Sequence, residues 1–263
     1  MRYHRQGRGE PLVLIHGVGH HWHGWRPVID RLDGEFDVIA TDSPGFGRSA
    51  PLPPGVEPDI RAYADAFIEL FAELRLERPH VAGNSMGGAI ALELARRGVV
   101  RSATAISPVG FWTDRERRFC QLSLGAVYRL PPTARAILAG LTRSALARAV
   151  LLSQLFARGW RLPAPDARRM VENLWASPAT PGALRAFERY RFSRPHELRA
   201  TPVTIAWGTR DRLLIYARQA PRARALLPWA THVPLPGLGH TPFWDDPGMV
   251  SAVVRAGTCQ PAQ

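Results

Sequence analysis

The sequence predicts an α/β chain built on a doubly wound, mostly parallel sheet that carries an inserted helical cap. Three observations point there. Short apolar runs end in glycine-containing turns, as where Leu12-Val13-Leu14-Ile15 empties into His16-Gly17-Val18-Gly19. Amphipathic helical stretches alternate with these runs, the arrangement that joins parallel strands by helical crossovers. One stretch, 111–195, breaks the rhythm with alanine-, leucine- and arginine-rich helical patterns and no convincing strand.

Taken in order, the run at 12–15 is the first expected strand. Trp22, Trp25, Val28, Ile29 and Leu32 recur at helical spacing and predict a helix over one face of the sheet. Phe36 to Thr41 is the next strand, followed by a turn-rich connection from Asp42 to Ser49 and a proline-rich loop. Ile60, Tyr63, Phe67, Leu70, Phe71 and Leu74 form an apolar stripe with Asp65, Glu69 and Glu73 opposite, so a long amphipathic helix is expected here. Pro79 to Ala82 and Ala103 to Ser107 read as further strands, with a helix between them. Within the insertion, helical stretches are expected over 134–156, 165–175 and 182–190. The strand pattern resumes at 202–207, and 232–235 is a last strand whose Pro234 suggests a sheet edge. Pro247 to Arg255 closes the chain as a helix, with fraying expected from Gly257 on. The expected division is a core of residues 1–110 and 196–263 with a cap of residues 111–195.

At 263 residues and 46% hydrophobic composition, the chain can bury about 70% of its unfolded surface without staples. Cys120 and Cys259 lie far apart, which argues against a disulfide framework and for a reducing compartment. The first residues lack an apolar leader, and no run of 18 apolar residues occurs; the expectation is a cytoplasmic protein with no membrane partner. All 34 basic residues are arginine, the formal charge is +12, and residues 112–200 hold 16 arginines against 6 acids, +10 of that total. A solvated surface accounts for this, as does a field that gathers anionic substrates or surfaces. No nucleic-acid-binding motif accompanies the arginines, so no nucleic-acid partner is expected. A homodimer is compatible with everything above.

Chemistry concentrates at the carboxyl ends of the strands, where open α/β sheets collect ligands. Gly83-Asn84-Ser85-Met86-Gly87-Gly88 stands between a strand and a helix, and glycines two residues to either side of Ser85 leave room for a sharp turn that pushes the hydroxyl out. Gly208-Thr209-Arg210-Asp211 follows a later strand, and Gly237-Leu238-Gly239-His240 follows the last. Asp42 also stands at a strand end, where a turn aspartate that satisfies local backbone donors is the expected role.

These loops together resemble the α/β-hydrolase family, in its form with an inserted cap, over nearly the whole chain. The resemblance implies Ser85 as nucleophile, His240 as base and Asp211 as the acid that orients it. Asp114 is a rival acid, because some family members take it from the loop after an earlier strand. The resemblance further implies an oxyanion hole from the backbone N–H groups of Val18 and Met86. His16, Gly17 and His20 are candidate substrate contacts on the same loop. Trp112, Trp160 and Trp175 are candidates from the cap, facing either the substrate or the cap's own core. His16, His20, His21 and His23 invite a metal reading, but no carboxylate completes a set at recognisable spacing, so neither metal nor cofactor is expected.

The family members that open epoxides or dehalogenate carry aspartate where this chain has Ser85, which turns the expectation from alkyl-carboxylate chemistry. The leading expectation is a serine-dependent hydrolase of small apolar or aromatic esters. An alternative is a carbon–carbon bond hydrolase of ring-fission dienoate acids, whose carboxylate the cap arginines would hold; the wording around Ser85 is similar to that group. A hydrolase-fold binding protein without activity is a third reading.

Overall fold

The structure, a computed structural model, describes residues 1–198 and 200–259. Its centre is a seven-stranded sheet. The strands are β1 (Arg2–Gln6), β2 (Glu10–Ile15), β3 (Phe36–Asp42), β4 (His80–Asn84), β5 (Ser102–Ile106), β6 (Val203–Gly208) and β7 (Thr231–Leu235), in the order β1-β3-β2-β4-β5-β6-β7. β1 runs antiparallel to β3 and every other pairing is parallel. The strand order reverses at β2, which pairs with β3 on one side and β4 on the other. The loops leaving β2 and β4 therefore open side by side, at the crevice where such sheets bind ligands.

The helices are α1 (Arg26–Ile29), α2 (Ile60–Glu73), α3 (Met86–Arg96), α4 (Asp114–Tyr128), α5 (Pro132–Leu141), α6 (Ala145–Leu151), α7 (Ala164–Ala176), α8 (Thr180–Ala186), α9 (Tyr216–Leu226) and α10 (Pro247–Thr258). One face of the sheet is covered by α2 and α3, which bury Tyr63, Phe67, Phe71, Ile90 and Leu94 with Val13, Val81 and Ile205. The other face is covered by α1 and α10, which bury Trp25, Val28, Ile29, Val250 and Val254 with Leu12, Leu14 and Val38. Alternate residues of β2 enter different cores because strand side chains alternate faces. Two-sided burial explains why the central strands read as continuous apolar runs.

Helices α4 to α8 lie between β5 and β6 and bring their own small core of Ala139, Leu152, Phe156, Leu162, Ala167, Met170 and Val171. Phe111, Trp112, Cys120, Leu184 and Phe187 join the main core instead, so the two ends of the insertion are rooted in the sheet layer.

Several elements differ from expectation. β1 is added, a half-exposed edge strand whose Arg-Tyr-His-Arg-Gln sequence carries no apolar alternation. The helix expected over 22–32 is only a 3-10 turn at Trp22–Trp25 and one α-turn at Arg26–Ile29; its apolar residues are nonetheless buried. The stretch 134–156 breaks at Thr142, where Ser144 caps a new helix by accepting from the Ala147 N–H. α4 starts at a capping box in which Thr113 and Glu116 exchange bonds, and α9 forms despite Pro221 within it. α10 runs through Thr258, past the point where fraying was expected, and residues 260–263 of that expectation lie outside the described residues. β7 does stand at the sheet edge, with Pro234 opposite Trp207. Cys120 and Cys259 are both free.

Candidate functional site

Ser85 occupies the turn from β4 into α3 with φ 59° and ψ −116°, a backbone state that side-chain-bearing residues rarely adopt. The neighbouring glycines are forced by contact. A Cβ on Gly83 would lie 2.0 Å from the Gly87 carbonyl oxygen, and one on Gly87 would lie 2.3 Å from that of Ile15. A Cβ on Gly17 would come within 3.0 Å of the Ser85 Cβ, which shows how closely the loop after β2 approaches the serine. The Ser85 N–H donates to the Ile106 carbonyl at 2.9 Å, and its own carbonyl accepts from Val109 at 3.2 Å.

His240 and Asp211 meet across the ends of β6 and β7. His240 Nδ1 lies 2.8 Å from Asp211 Oδ2, both side chains being almost fully buried. The second carboxylate oxygen, Oδ1, accepts from the backbone N–H groups of Leu213 at 2.9 Å and Leu214 at 2.8 Å. With both oxygens held, the carboxylate has one orientation, and it fixes Nδ1 as the protonated nitrogen of the neutral ring. Ser85 and His240 line one cavity of about 240 Å³. Asp114 is elsewhere: it is exposed, at the first turn of α4, and pairs with Arg191 at 2.7 Å and Arg117 at 3.3 Å.

The loop after β2 contributes Gly17, Val18, Gly19 and His20 to the cavity wall. Met86 follows Ser85 as the first residue of α3, where a helix has N–H groups with no intrahelical partner. The His20 ring has neither nitrogen bonded to protein, and burial, with the His16 ring close by, lowers its pKa to about 3. It is a neutral imidazole facing the cavity with hydrogen-bonding capacity to spare. His16 is not placed for substrate contact. Its Nδ1 lies 2.7 Å from the Gly17 carbonyl, its Nε2 accepts from the Ser43 N–H at 2.9 Å, and burial depresses its pKa. It braces the loop from behind. Asp42 accepts from Arg48 N at 2.9 Å in the turn, as expected of it, and also from Trp22 N at 2.9 Å, 20 residues away.

None of the three candidate tryptophans lines the cavity. Trp112 is buried against Phe187 and donates to the Tyr190 carbonyl at 3.1 Å. Trp175 donates to the Val127 carbonyl at 2.9 Å beneath the Arg135 guanidinium, and Trp160 is 50% exposed on the outside of the insertion. The wall is mainly aliphatic, with Leu124, Val127, Leu138, Leu155, Val171 and Leu174 among its residues, joined by Phe187 and Gln154, and it contains no arginine. Cys120 also lines it, but burial pushes its thiol up to about 12, so it stays protonated.

Three supporting residues escaped the sequence reading. Asn84 donates to the carbonyls of Ile106 at 3.1 Å and His240 at 2.9 Å, tying the serine turn to the histidine loop. Asp245 is fully buried and accepts from the N–H groups of Gly239 at 2.8 Å, Ala157 at 2.9 Å and Arg158 at 2.7 Å. Asn173, on α7, donates to the carbonyls of Gly19 and His20 at 3.0 Å each. Their partners are backbone groups remote in sequence, which leaves no spacing to read. Among the described residues no group of three or more histidine, cysteine or acidic side chains is arranged to hold a metal; His23 turns to Asp166 at 2.8 Å.

Comparison with known proteins agrees with this fold. Residues 12–253 match the model of the alpha/beta hydrolase family. An uncharacterized protein of Mycobacterium tuberculosis is 31% identical over 98% of this chain and 78% of its own length. A 2-hydroxy-6-oxo-2,4-heptadienoate hydrolase of Pseudomonas putida is 36% identical, over 36% of this chain and 35% of its own. A solved structure described as a membrane phospholipase A, a bacterial virulence factor, superposes with a TM-score of 0.76 at 29% identity, covering 97% of this chain and 80% of that one. With the sheet order, the strained serine turn and a family match that spans nearly every element, the chain belongs to the alpha/beta hydrolase family.

Proposed function

We propose that the protein hydrolyses carboxylic esters with an aliphatic acyl portion, through an acyl-enzyme on Ser85. The observation that carries this reading is the shared cavity of Ser85 and His240, with the other face of the imidazole bonded to Asp211. In the reaction, His240 Nε2 takes the proton of Ser85 Oγ as the oxygen attacks the ester carbonyl. Asp211 stabilises the imidazolium that forms. The N–H groups of Val18 and Met86 receive the oxyanion, a contribution of about 3 kcal/mol per donor. His240 then protonates the leaving alkoxide, and water activated by the same ring releases the acid. His20, neutral at working pH, holds the alcohol or carbonyl side of the substrate by a hydrogen bond.

The mainly aliphatic wall supports an aliphatic acyl chain, the apolar half of the expectation of apolar or aromatic esters. The similar structure described as a membrane phospholipase A supports ester cleavage. The carbon–carbon reading has the Pseudomonas putida dienoate hydrolase in its favour, yet it requires a cation for the substrate carboxylate, and the cavity wall offers none. The same lack of a cation weighs against anionic substrates in general.

The test is a series of p-nitrophenyl esters of increasing acyl length. Turnover with a burst is expected, rising from acetate to medium-chain esters, and Ser85→Ala reduces kcat by at least about 10³-fold. Turnover of a ring-fission dienoate without turnover of any ester would replace this reading with the carbon–carbon one.

A further inference from the structure

Residues 129–163 contain six arginines and no aspartate or glutamate. This stretch builds α5, α6 and the 3-10 turn at Gly159–Arg161. Arg148 joins them into one unit: its buried guanidinium donates to the carbonyls of Thr142 at 2.6 Å, Arg143 at 3.0 Å and Trp160 at 3.4 Å. The outside of that unit is apolar. Ile137 is 64% exposed, Leu141 45%, Leu146 75%, Val150 65% and Trp160 50%. Ile137 with Leu141, and Leu146 with Val150, stand four residues apart, so each helix turns a pair to the same side. Single exposed aliphatics are ordinary on a protein surface, but a cluster of this kind marks a contact.

The arginines decide what the contact is. Among the described residues none of the six pairs with a carboxylate, whereas Arg96, Arg97, Arg101, Arg222 and Arg255 elsewhere all do. Arg129 ends α4, Arg143 follows α5 and Arg161 closes the 3-10 turn, and all three are exposed. A second copy of the chain would set these uncompensated charges against themselves. An anionic bilayer instead neutralises them, accepts aliphatic side chains without shape complementarity, and suits an indole at headgroup depth.

We propose that the outer face of α5, α6 and the 159–161 turn docks on the surface of an anionic lipid bilayer. The contact is peripheral, since no helix among the described residues is long and apolar enough to cross a membrane. It departs from the sequence expectation of no membrane partner, which rested on the lack of a spanning segment. Leu138 and Leu151, on the same two helices, line the Ser85 cavity, so docking sets the cavity against the lipid phase. The docking itself does not depend on how Ser85 is read.

The experiment is flotation of the full chain with vesicles of phosphatidylcholine alone or mixed with phosphatidylglycerol, at low and high salt. Binding to the mixed vesicles is expected, with weakening as salt rises. The double variant Leu146→Glu/Val150→Glu lowers the partition coefficient by at least about tenfold, and Arg129→Gln/Arg143→Gln flattens the salt dependence. Unchanged thermal midpoints show that the variants fold. Absence of wild-type binding, or equal binding by the folded double variant, overturns the proposal. So does a dimer in light scattering that the double variant dissolves, which would assign the face to a second copy.

Discussion

At Ser85 the backbone holds a φ of 59° that costs about 1 to 3 kcal/mol for a residue with a side chain. A glycine there would relieve the strain, less the entropy that glycine loses on folding. Ser85→Gly is therefore expected to abolish the proposed ester hydrolysis while raising stability by about 1 kcal/mol, read from urea unfolding; Ser85→Ala keeps the strain and leaves stability near that of the wild type. A destabilised glycine variant would show that the turn is not strained. The serine turn was legible because its glycines are demanded by contacts within a few residues and at the neighbouring strand end. Asn84, beside it, was not. Its side chain serves the carbonyl of His240, 156 positions away, and an asparagine before a serine carries no local signature.

Elements were legible where burial imposes a period and illegible where a loop contact decides. α2 shows its stripe because one side faces the sheet, and its Asp59 cap accepts from Ala62 N at 2.8 Å. α4 was hidden because Asp114, read as a loop acid, belongs to the first turn of the helix. The segment that joins α6 to α7 lies directly on the histidine loop: Thr241 N–H donates to the Leu155 carbonyl at 2.8 Å, and a Cβ on Gly239 would meet Ala157 N at 2.6 Å. Asp245 binds the two together, while its neighbour Asp246 caps α10 through Met249 N at 2.9 Å, the only role that the Asp-Asp-Pro wording suggests. Asp245→Ala leaves the N–H groups of Gly239, Ala157 and Arg158 without their carboxylate and is expected to cost about 3 kcal/mol. It also lowers kcat more than it raises KM, because it loosens the loop that carries His240. Equal unfolding midpoints for variant and wild type would deny Asp245 this part.

For the molecule as a whole, buried histidines set the response to acid. His16, His20, His21, His23 and His232 all have pKa values lowered, in each case chiefly by burial, His20 and His21 to about 3. The unfolded chain takes up these protons near an ordinary pKa of about 6.5, and the folded chain does not. Between those limits the unfolded state binds more protons, so stability rises with pH. It is complete above about pH 6.5 and is lost progressively as pH falls toward 3. Urea titrations between neutral pH and about pH 5, above most carboxylate titration, are expected to show falling stability, with a shallower slope in His20→Phe. A flat profile in the parent protein would contradict the buried-neutral histidines. The doubly wound, mostly parallel sheet was legible at this scale, because the alternating strands and helices and the glycine loops state it together; the strand order, with β1 at one edge, was not. How the insertion is held as a roof over the cavity was not legible, since that hold runs through the backbone at Gly19, His20 and Leu155. That hold has a further meaning. The roof is tied to the sheet loops through Asn173 and Asp245, while the bonds of Arg135 and Arg148 close within the roof. A hinged swing of the roof would have to break one of these ties. Exchange of α5 and α6, which carry neither tie, is expected to change which esters are turned over and to leave the Asp211–His240 pair in place.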